Sequence, residues 1–267
     1  MIKDGFYKKL PMVDYLAEDA LSKSGLSDLA ISPAHYRARK LEPKTFDGAD
    51  LGSAVHMLVL EPERAEKLIF TPPKDTGRKS TNAYKEWVSS LEAGALILSR
   101  EEFEAAHYMR DAILSHPAAS ELLSDGFPEV SMFHTGADGL RRKCRPDWMS
   151  DKSYVDIKTA RSASPGEFGR QAYNLHYHWS AFHTCDIGER LGKVFSSLYY
   201  FIVVEKEAPW CVAVYETPPD LIDLAAAEIT PLYAQYRACL EYNTWPGYDA
   251  EVQQLKLPRW AYQKQEE

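Results

Sequence analysis

The sequence predicts an α/β or α+β core, a central mixed sheet flanked by helices, with a helical lobe ahead of it. Three observations predict it. The first third carries apolar residues at helical spacing between caps and prolines. From Glu129 to Thr159 the pattern switches to period-two alternation broken by turn residues. A second β-rich pair is then followed by a long helical stretch, so strands and helices share one unit.

Residues 24–31 and 33–40 read as two short helices, the second with Pro33 in its first turn. Asp47 caps a third that runs through Leu60, with Leu51, Val55, Leu58 and Val59 at helical spacing and Pro62 just beyond. The tract 71–80 is polar and rich in breakers, so it reads as a loop. Its lysines, Lys74 and Lys79, either contact phosphates or are merely solvated. Helix returns over 81–91. Ser99 opens a longer helix, with Glu102 completing a capping box. Phe103, Ala106, Met109, Ile113 and Leu114 give it an apolar face, and His116-Pro117 closes it.

Residues 129–135 alternate as a strand, Gly136-Ala137-Asp138-Gly139 is a turn, 140–149 is a second strand and 154–159 a third. Ser164, Pro165 and Glu167 start a helix that continues to Arg190 with a break near Leu175. Residues 194–204 and 210–215 form a hairpin around the 205–209 loop. Pro218-Pro219 leads into a long helix through Tyr242, and the aromatic tail, with Trp245, Tyr248 and Trp260, packs against the body.

The totals exclude several classes. A chain of 267 residues that is 45% hydrophobic can bury a sizeable core. We read a single domain, 1–267, with 1–125 mostly helical and 126–267 forming the core. No apolar run approaches the roughly 18 residues of a membrane span, and the Lys-rich start has no apolar stretch after it. The expectation is a cytoplasmic protein without a membrane partner. The four cysteines, Cys144, Cys185, Cys211 and Cys239, form no CxxC pair, which points to reduced thiols rather than disulfides or a cysteine metal site. The net charge of −8 argues against coating nucleic acid through bulk positive charge. A local basic tract nevertheless runs over Arg141, Arg142, Lys143 and Arg145, and these side chains either line a path for DNA or, for Arg145, pair with a core carboxylate. No P-loop, GxGxxG or Ser-His-Asp arrangement stands out.

Chemistry concentrates in Arg145-Pro146-Asp147-Trp148 and Asp156-Ile157-Lys158. On a strand, residues i and i+2 share a face, so Asp156 and Lys158 are delivered side by side while Val155 and Ile157 face the core. Asp147 lies on a neighbouring predicted strand and Glu129 at the start of the one before it. Two carboxylates can hold Mg²⁺, a hard cation that prefers oxygen ligands. Such a cation lowers the pKa of water and offsets charge on a phosphate, and a lysine adds a point charge or orients the water. An Asp-x-Lys pair alone is equally a solvated strand-face salt bridge.

The whole pattern resembles the RecE-type exonucleases of phages and prophages, the exodeoxyribonuclease VIII group of the PD-(D/E)xK nuclease superfamily. The matching text is Ile31-Ser32-Pro33-Ala34-His35-Tyr36, Leu51-Gly52-Ser53-Ala54-Val55-His56, Val59-Leu60-Glu61-Pro62-Glu63-Arg64 and Pro128-Glu129-Val130-Ser131. It continues with Cys144-Arg145-Pro146-Asp147-Trp148, Val155-Asp156-Ile157-Lys158-Thr159, Tyr177-His178, and Leu257-Pro258 with Trp260-Ala261. The resemblance spans nearly the whole chain in one order. It implies a PD-(D/E)xK restriction-endonuclease-like core with an N-terminal helical lobe. It implies that Asp147, Asp156, His56 and the carbonyl of Ile157 hold Mg²⁺, with Mn²⁺ as substitute, and that Lys158 and Glu129 set the attacking water. It further implies 5′→3′ digestion of linear double-stranded DNA from its ends, leaving 3′ single-stranded tails for recombination. A homo-oligomeric ring (trimer or tetramer) and a single-strand annealing protein as partner go with that activity.

One departure stands out. Relatives carry Gln and, four residues on, Tyr in the helix after the lysine strand; here Ser180 and Thr184 hold those places unless the register slips. Tyr177, His178 and Tyr173 are then the candidates to face DNA, along with Ser180, Arg141, Arg142 and Arg145. Two rivals follow: a nuclease of other polarity, a single-strand nuclease or an endonuclease, and a degenerate nuclease fold that only binds DNA or a recombinase. His107, His116, His134, His176 and His183 show no ligand spacing to one another.

Overall fold

A computed structural model describes residues 1–42, 51–193 and 198–257. Asp47, the start of the 194–204 stretch, and Pro258, Trp260 and Ala261 lie outside the described residues.

The helical part follows its sequence signals closely. After a strand β1 (Gly5–Tyr7) and a short helix α1 (Met12–Ala17) come α2 (Lys23–Ile31) and α3 (Pro33–Leu41). Ser22 and Ser32 cap them, accepting from Gly25 N and His35 N, both at 3.3 Å. Next are α4 (Leu51–Leu60), α5 (Pro62–Leu68), a strand β2 (Ile69–Phe70), α6 (Asn82–Ser89) and β3 (Leu96–Ile97), which pairs with β2 in parallel. The 71–80 tract is loop apart from one tight turn at Lys74–Thr76. α7 (Arg100–Ser115) starts with the expected capping box: Ser99 Oγ accepts from Glu102 N at 3.1 Å and Ser99 N donates to Glu102 Oε2 at 2.8 Å. α8 (Pro117–Leu122) follows at once.

The middle differs from the expectation of continuous strands. Residues 129–135 are cut between β4 (Phe127–Pro128) and β5 (Ser131–Thr135), and 140–149 between β6 (Arg141–Cys144) and β7 (Trp148–Met149). β5 and β6 belong to a three-stranded sheet, ordered β1-β5-β6, whereas β4 and β7 join a five-stranded one. Both strands of the hairpin therefore change sheet at the same level. Pro146 has no N–H to give a ladder, and Glu129 turns with a left-handed φ of 53°. Glu129 N donates to Asp147 O at 3.0 Å across the crossing.

β8 (Tyr154–Ala160) follows, then α9 (Pro165–Asn174), α10 (Tyr177–Arg190), β9 (Tyr199–Glu205), β10 (Val212–Glu216) and α11 (Pro219–Tyr242). The larger sheet is ordered β10-β9-β8-β7-β4. It is mixed: β8 and β9 run parallel, with Asp156 opposite Phe201, and the other pairs are antiparallel. A parallel pair needs a crossover, and α9 and α10 supply it.

Helices cover both faces of this sheet. Val155, Ile157, Ile202 and Val204 pack against Ala54, Val55 and Leu58 of α4 and Ala106, Met109 and Ile113 of α7. Tyr154, Tyr199, Phe201 and Val203 pack against Phe168 of α9 and Ala181, Cys185 and Ile187 of α10. Each fully buried side chain of this size contributes about 1.5–3 kcal/mol. Gly188 lets α10 come close; a Cβ there would land on the Tyr154 hydroxyl. Leu26, Leu29 and Tyr36 join Trp179, Ala225, Ile229 and Tyr236 in a third cluster, which ties α2 and α3 to α10 and α11. The tail packs on α3: Trp245 stacks on Tyr36 with centroids 5.6 Å apart. All four cysteines are free thiols. Among the described residues no helix is long and apolar enough to cross a membrane.

His183 on α10 is a buried polar joint. Its Nε2 donates to Lys143 O at 3.0 Å, and its Nδ1 accepts from Tyr233 Oη at 2.7 Å. Burial holds the ring neutral, with its pKa lowered from 6.5 to about 4. The unfolded chain takes up a proton near 6.5 while the folded one does not, so stability present above that pH is lost as the pH falls toward 4. We expect a loss of about 3 kcal/mol over that window. Urea unfolding at a series of pH values checks it: His183→Gln should be less stable at neutral pH yet show a flatter acid slope.

Candidate active site

The sheet crossing and the β8 strand bring the acidic residues together. Asp156 and Lys158 share one face of β8, and Lys158 Nζ makes a short ion pair with Asp156 Oδ1. Trp148 is paired with Val155, so Asp147, the last residue before β7, lies beside the middle of β8. Ile157 N donates to Asp147 Oδ2 at 2.6 Å, which fixes that carboxylate at the strand edge. From the other side α4 places His56 Nδ1 3.3 Å from Asp147 Oδ1. Tyr199 on β9 donates its hydroxyl to Asp156 Oδ2 at 3.2 Å. Asp147 and Asp156 are each only 9% exposed.

Two carboxylates this close and this buried cannot both ionise freely. Burial alone would raise Asp147, but the His56 charge and hydrogen bond, with Lys158, hold it well below the usual carboxylate range. Burial raises Asp156, and the negative charge on Asp147 adds to that against the pull of Lys158. Burial alone would lower Lys158 and His56; their acidic neighbours carry both above their ordinary values. Glu129 stands next to this group. Burial, and then Asp147, push its pKa up to about 7, while Arg145 and His56 oppose the rise. The Ile157 carbonyl lies 3.4 Å from Lys158 Nζ, within reach of the same space.

This donor set fits a hard divalent cation. It offers two neighbouring carboxylates, an imidazole 3.3 Å from one of them and a peptide carbonyl on the same strand, and the repulsion that drives Asp156 upward is what a bound cation would relieve.

The basic tract is held by partners within the fold, and Arg145 takes the second of its two expected roles, beside a carboxylate. Arg141 pairs with Asp4 at 3.0 Å and with the Ile2 carbonyl, and Arg142 with Asp138, its guanidinium 4.3 Å from the Tyr233 ring centroid. Arg145 donates to Ser131 Oγ and Leu10 O, both at 2.7 Å, and lies 3.8 Å from Glu129. Lys143 Nζ binds Tyr15 O at 2.7 Å and Glu18 O at 2.8 Å. These cations fasten the N-terminal segment and the 136–140 turn, and two of them, Lys143 and Arg145, also line the cleft onto which Asp156 opens. His178 is likewise buried, bonded to Glu228 at 2.7 Å, and exposed Tyr173 stacks on it. Tyr177 does face the centre, its ring 5.2 Å from Lys158 Nζ. Ser180 and Thr184 both line a cleft of about 190 Å³ that opens onto Asp156 and Tyr199.

Sequence reasoning missed three neighbours. Lys23, at the start of α2, lines the same cleft and donates to Leu175 O at 2.7 Å. Burial and then the Lys158 charge lower its pKa to about 8. Glu61, which follows α4, adds negative charge near Glu129. Tyr199 comes from a strand far along the chain. No local spacing marks any of them.

Comparison with known proteins agrees with this architecture. The model of the family described as "PDDEXK-like domain of unknown function (DUF3799)" matches residues 22–258. The crystal structure of a "Putative exonuclease" from Eubacterium rectale superposes with a TM-score of 0.63 at 13% identity, covering 94% of this chain and 96% of that one. At that identity it establishes a shared fold. The crystal structure of SSO0001 aligns at a TM-score of 0.30 and 18% identity over 87% of this chain and 88% of that one, too low to bear on the fold. No curated protein matches.

Mn²⁺ titration of the whole chain tests the donor set. Asp147→Asn should weaken binding by at least about 100-fold, and His56→Ala by about 10-fold. Unchanged affinity in Asp147→Asn would remove that carboxylate from the centre.

Proposed function

Because the chain belongs to the PDDEXK-like family DUF3799, we propose that it is a metal-dependent nuclease that hydrolyses DNA phosphodiesters at Asp147, Asp156 and Lys158. The observation that carries this is the burial of two carboxylates and an ammonium at one sheet edge, with His56 closing the fourth side. A structural arrangement has no need to bury like charges together; a hydrolytic centre does.

In this mechanism Asp147, Asp156, His56 and the Ile157 carbonyl hold the cation. When bound, it offsets negative charge on the phosphate and makes a nearby water more acidic. Lys158 donates to the attacking water or to a non-bridging phosphate oxygen. Asp156, as a ligand, would lose its raised basicity once the cation is bound, so the water's proton passes to a group outside the ligand set or to solvent. Tyr199 and Ile157 N keep the two carboxylates in place. The water oxygen bonds to phosphorus, the ester P–O bond breaks, and the leaving oxygen is protonated from solvent. Glu129, with a pKa of about 7, sits where it can relay a proton near neutrality.

The finer reading rests on the RecE-type resemblance. It is Mg²⁺-dependent 5′→3′ digestion of linear duplex DNA, by a ring of identical subunits that passes a 3′ single strand to an annealing protein.

With end-labelled linear duplex and closed circles as substrates, we expect Mg²⁺- or Mn²⁺-dependent loss of the linear DNA only, abolished by EDTA. Asp156→Ala and Lys158→Ala should each lower kcat by at least about 1000-fold with circular dichroism unchanged. Cleaved circles would move the reading to an endonuclease. Binding without any cleavage would move it to a degenerate, DNA-binding fold.

Lys23 gives a separate test. Its ammonium is positioned to hold a phosphate beside Asp156 and is lost as the pH rises through about 8. Lys23→Met should raise KM for DNA by about 10-fold and leave kcat less affected. Between pH 7 and 9, wild-type KM should rise while that of the variant stays flat.

A further inference from the structure

A second cluster of metal-binding groups lies at the start of α10. His176, His178 and Glu228 each offer one ligand atom, and these atoms all lie within 4.8 Å of one another. His176 is the residue before α10, His178 is in its first turn, and Glu228 reaches across from α11. None of the three belongs to the acidic centre.

Several features make this more than a packed histidine pair. His176 adopts a left-handed backbone, φ 53° and ψ 44°, which a non-glycine residue holds only at a cost of about 1 kcal/mol. Its Nδ1 is buried without a hydrogen-bond partner. Its ring stacks on Trp179 with centroids 4.0 Å apart, which leaves little freedom to turn toward solvent. Glu228 is already oriented: its Oε2 accepts from Trp179 Nε1 at 2.6 Å and sits 2.7 Å from His178 Nε2. That is the support a ligating carboxylate requires from a neighbouring donor. Burial would raise Glu228, but the Trp179 and His178 hydrogen bonds hold it ionised below its ordinary range.

We propose that His176, His178 and Glu228 form a binding site for a transition-metal ion of the zinc class, separate from the acidic centre, that clamps the start of α10 to α11. Two imidazoles and one carboxylate suit zinc, where the acidic centre suits a hard cation. Bonds of about 2.1 Å place tetrahedral ligands roughly 3.4 Å apart, so the ligand atoms, all within 4.8 Å of one another, need to close by only about an ångström. Water fills the fourth position. The clamp bears on the cleft, because the following turns of α10 carry Ser180 and Thr184.

The test uses the whole, tag-free chain carrying Asp147→Ala, so that the acidic centre does not compete. Co²⁺ is the optical probe and Zn²⁺ the competitor. We expect one equivalent of Co²⁺ with visible d–d absorption, displaced by Zn²⁺, and a Tm raised by added Zn²⁺. His176→Asn, whose side chain tolerates the left-handed backbone, and Glu228→Gln should each weaken binding by at least about 10-fold and abolish the Zn²⁺ effect on Tm. If His176→Asn does not fold, Glu228→Gln decides alone. Absence of cobalt absorption in the Asp147→Ala protein, or undiminished binding in the folded variants, overturns the assignment. Neither result depends on nuclease activity.

Discussion

Everything at the centre follows from forcing Asp147 and Asp156 to share a dry space. In water two carboxylates a few ångströms apart repel weakly; with both 9% exposed, the repulsion is strong enough to split their protonation. The fold answers with positive groups from three directions: Lys158 from the same strand, His56 from α4, and backbone N–H of Ile157. The split marks where a cation would be taken up, because its charge would relieve the repulsion that raises Asp156.

That pair exists because the hairpin changes sheet. A continuous strand from 140 to 149 would have alternated Asp147 onto a regular face, its partner set by register alone. Pro146 ends the ladder, the chain re-enters the other sheet at β7, and Asp147 is left at the joint with its side chain directed to Ile157 N. Glu129, left-handed at the matching joint, is bonded through its N–H to Asp147 O, so the two acids are coupled through backbone as well as charge. The α4 and α7 layer completes the arrangement. Its contacts with Val155 and Ile157 hold α4 over the sheet, which brings His56 to the edge.

What was legible in the sequence was whatever local period dictates. Asp156 and Lys158 on one face follow from strand geometry, and the capping box at Ser99 follows from side-chain chemistry. The split of 129–135 and 140–149 was not legible, because alternation survives a change of sheet; only Pro146 hinted at it. The partners of the arginines were not legible for another reason. A basic tract looks the same whether its charges meet solvent or, as with Arg141, Arg142 and Arg145, the partners Asp4, Asp138 and Leu10 O. Those partners are set by tertiary structure. Lys23 and Tyr199 reach the cleft from positions far from β8, with no spacing to betray them. The place of Ser180 and Thr184 needed the cleft itself, which both line together with Asp156.

The taking up of the basic tract inside the fold has a consequence for how a polyanion would be held. A chain of net charge −8 with those cations internally paired has little bulk attraction to offer DNA. Under the proposed function, affinity then comes from few, well-placed charges: Lys23, Lys143 and Arg145 lining the cleft, Lys158 beside Asp156, and the divalent cation. Such an economy ties binding to the centre itself. A phosphate is attracted where the cation and the lysines are, and the acidic remainder of the surface discourages lodging elsewhere. Hydroxyl side chains at 180 and 184 fit the same logic, since they leave room for a phosphate in a cleft of about 190 Å³ where larger side chains would fill it.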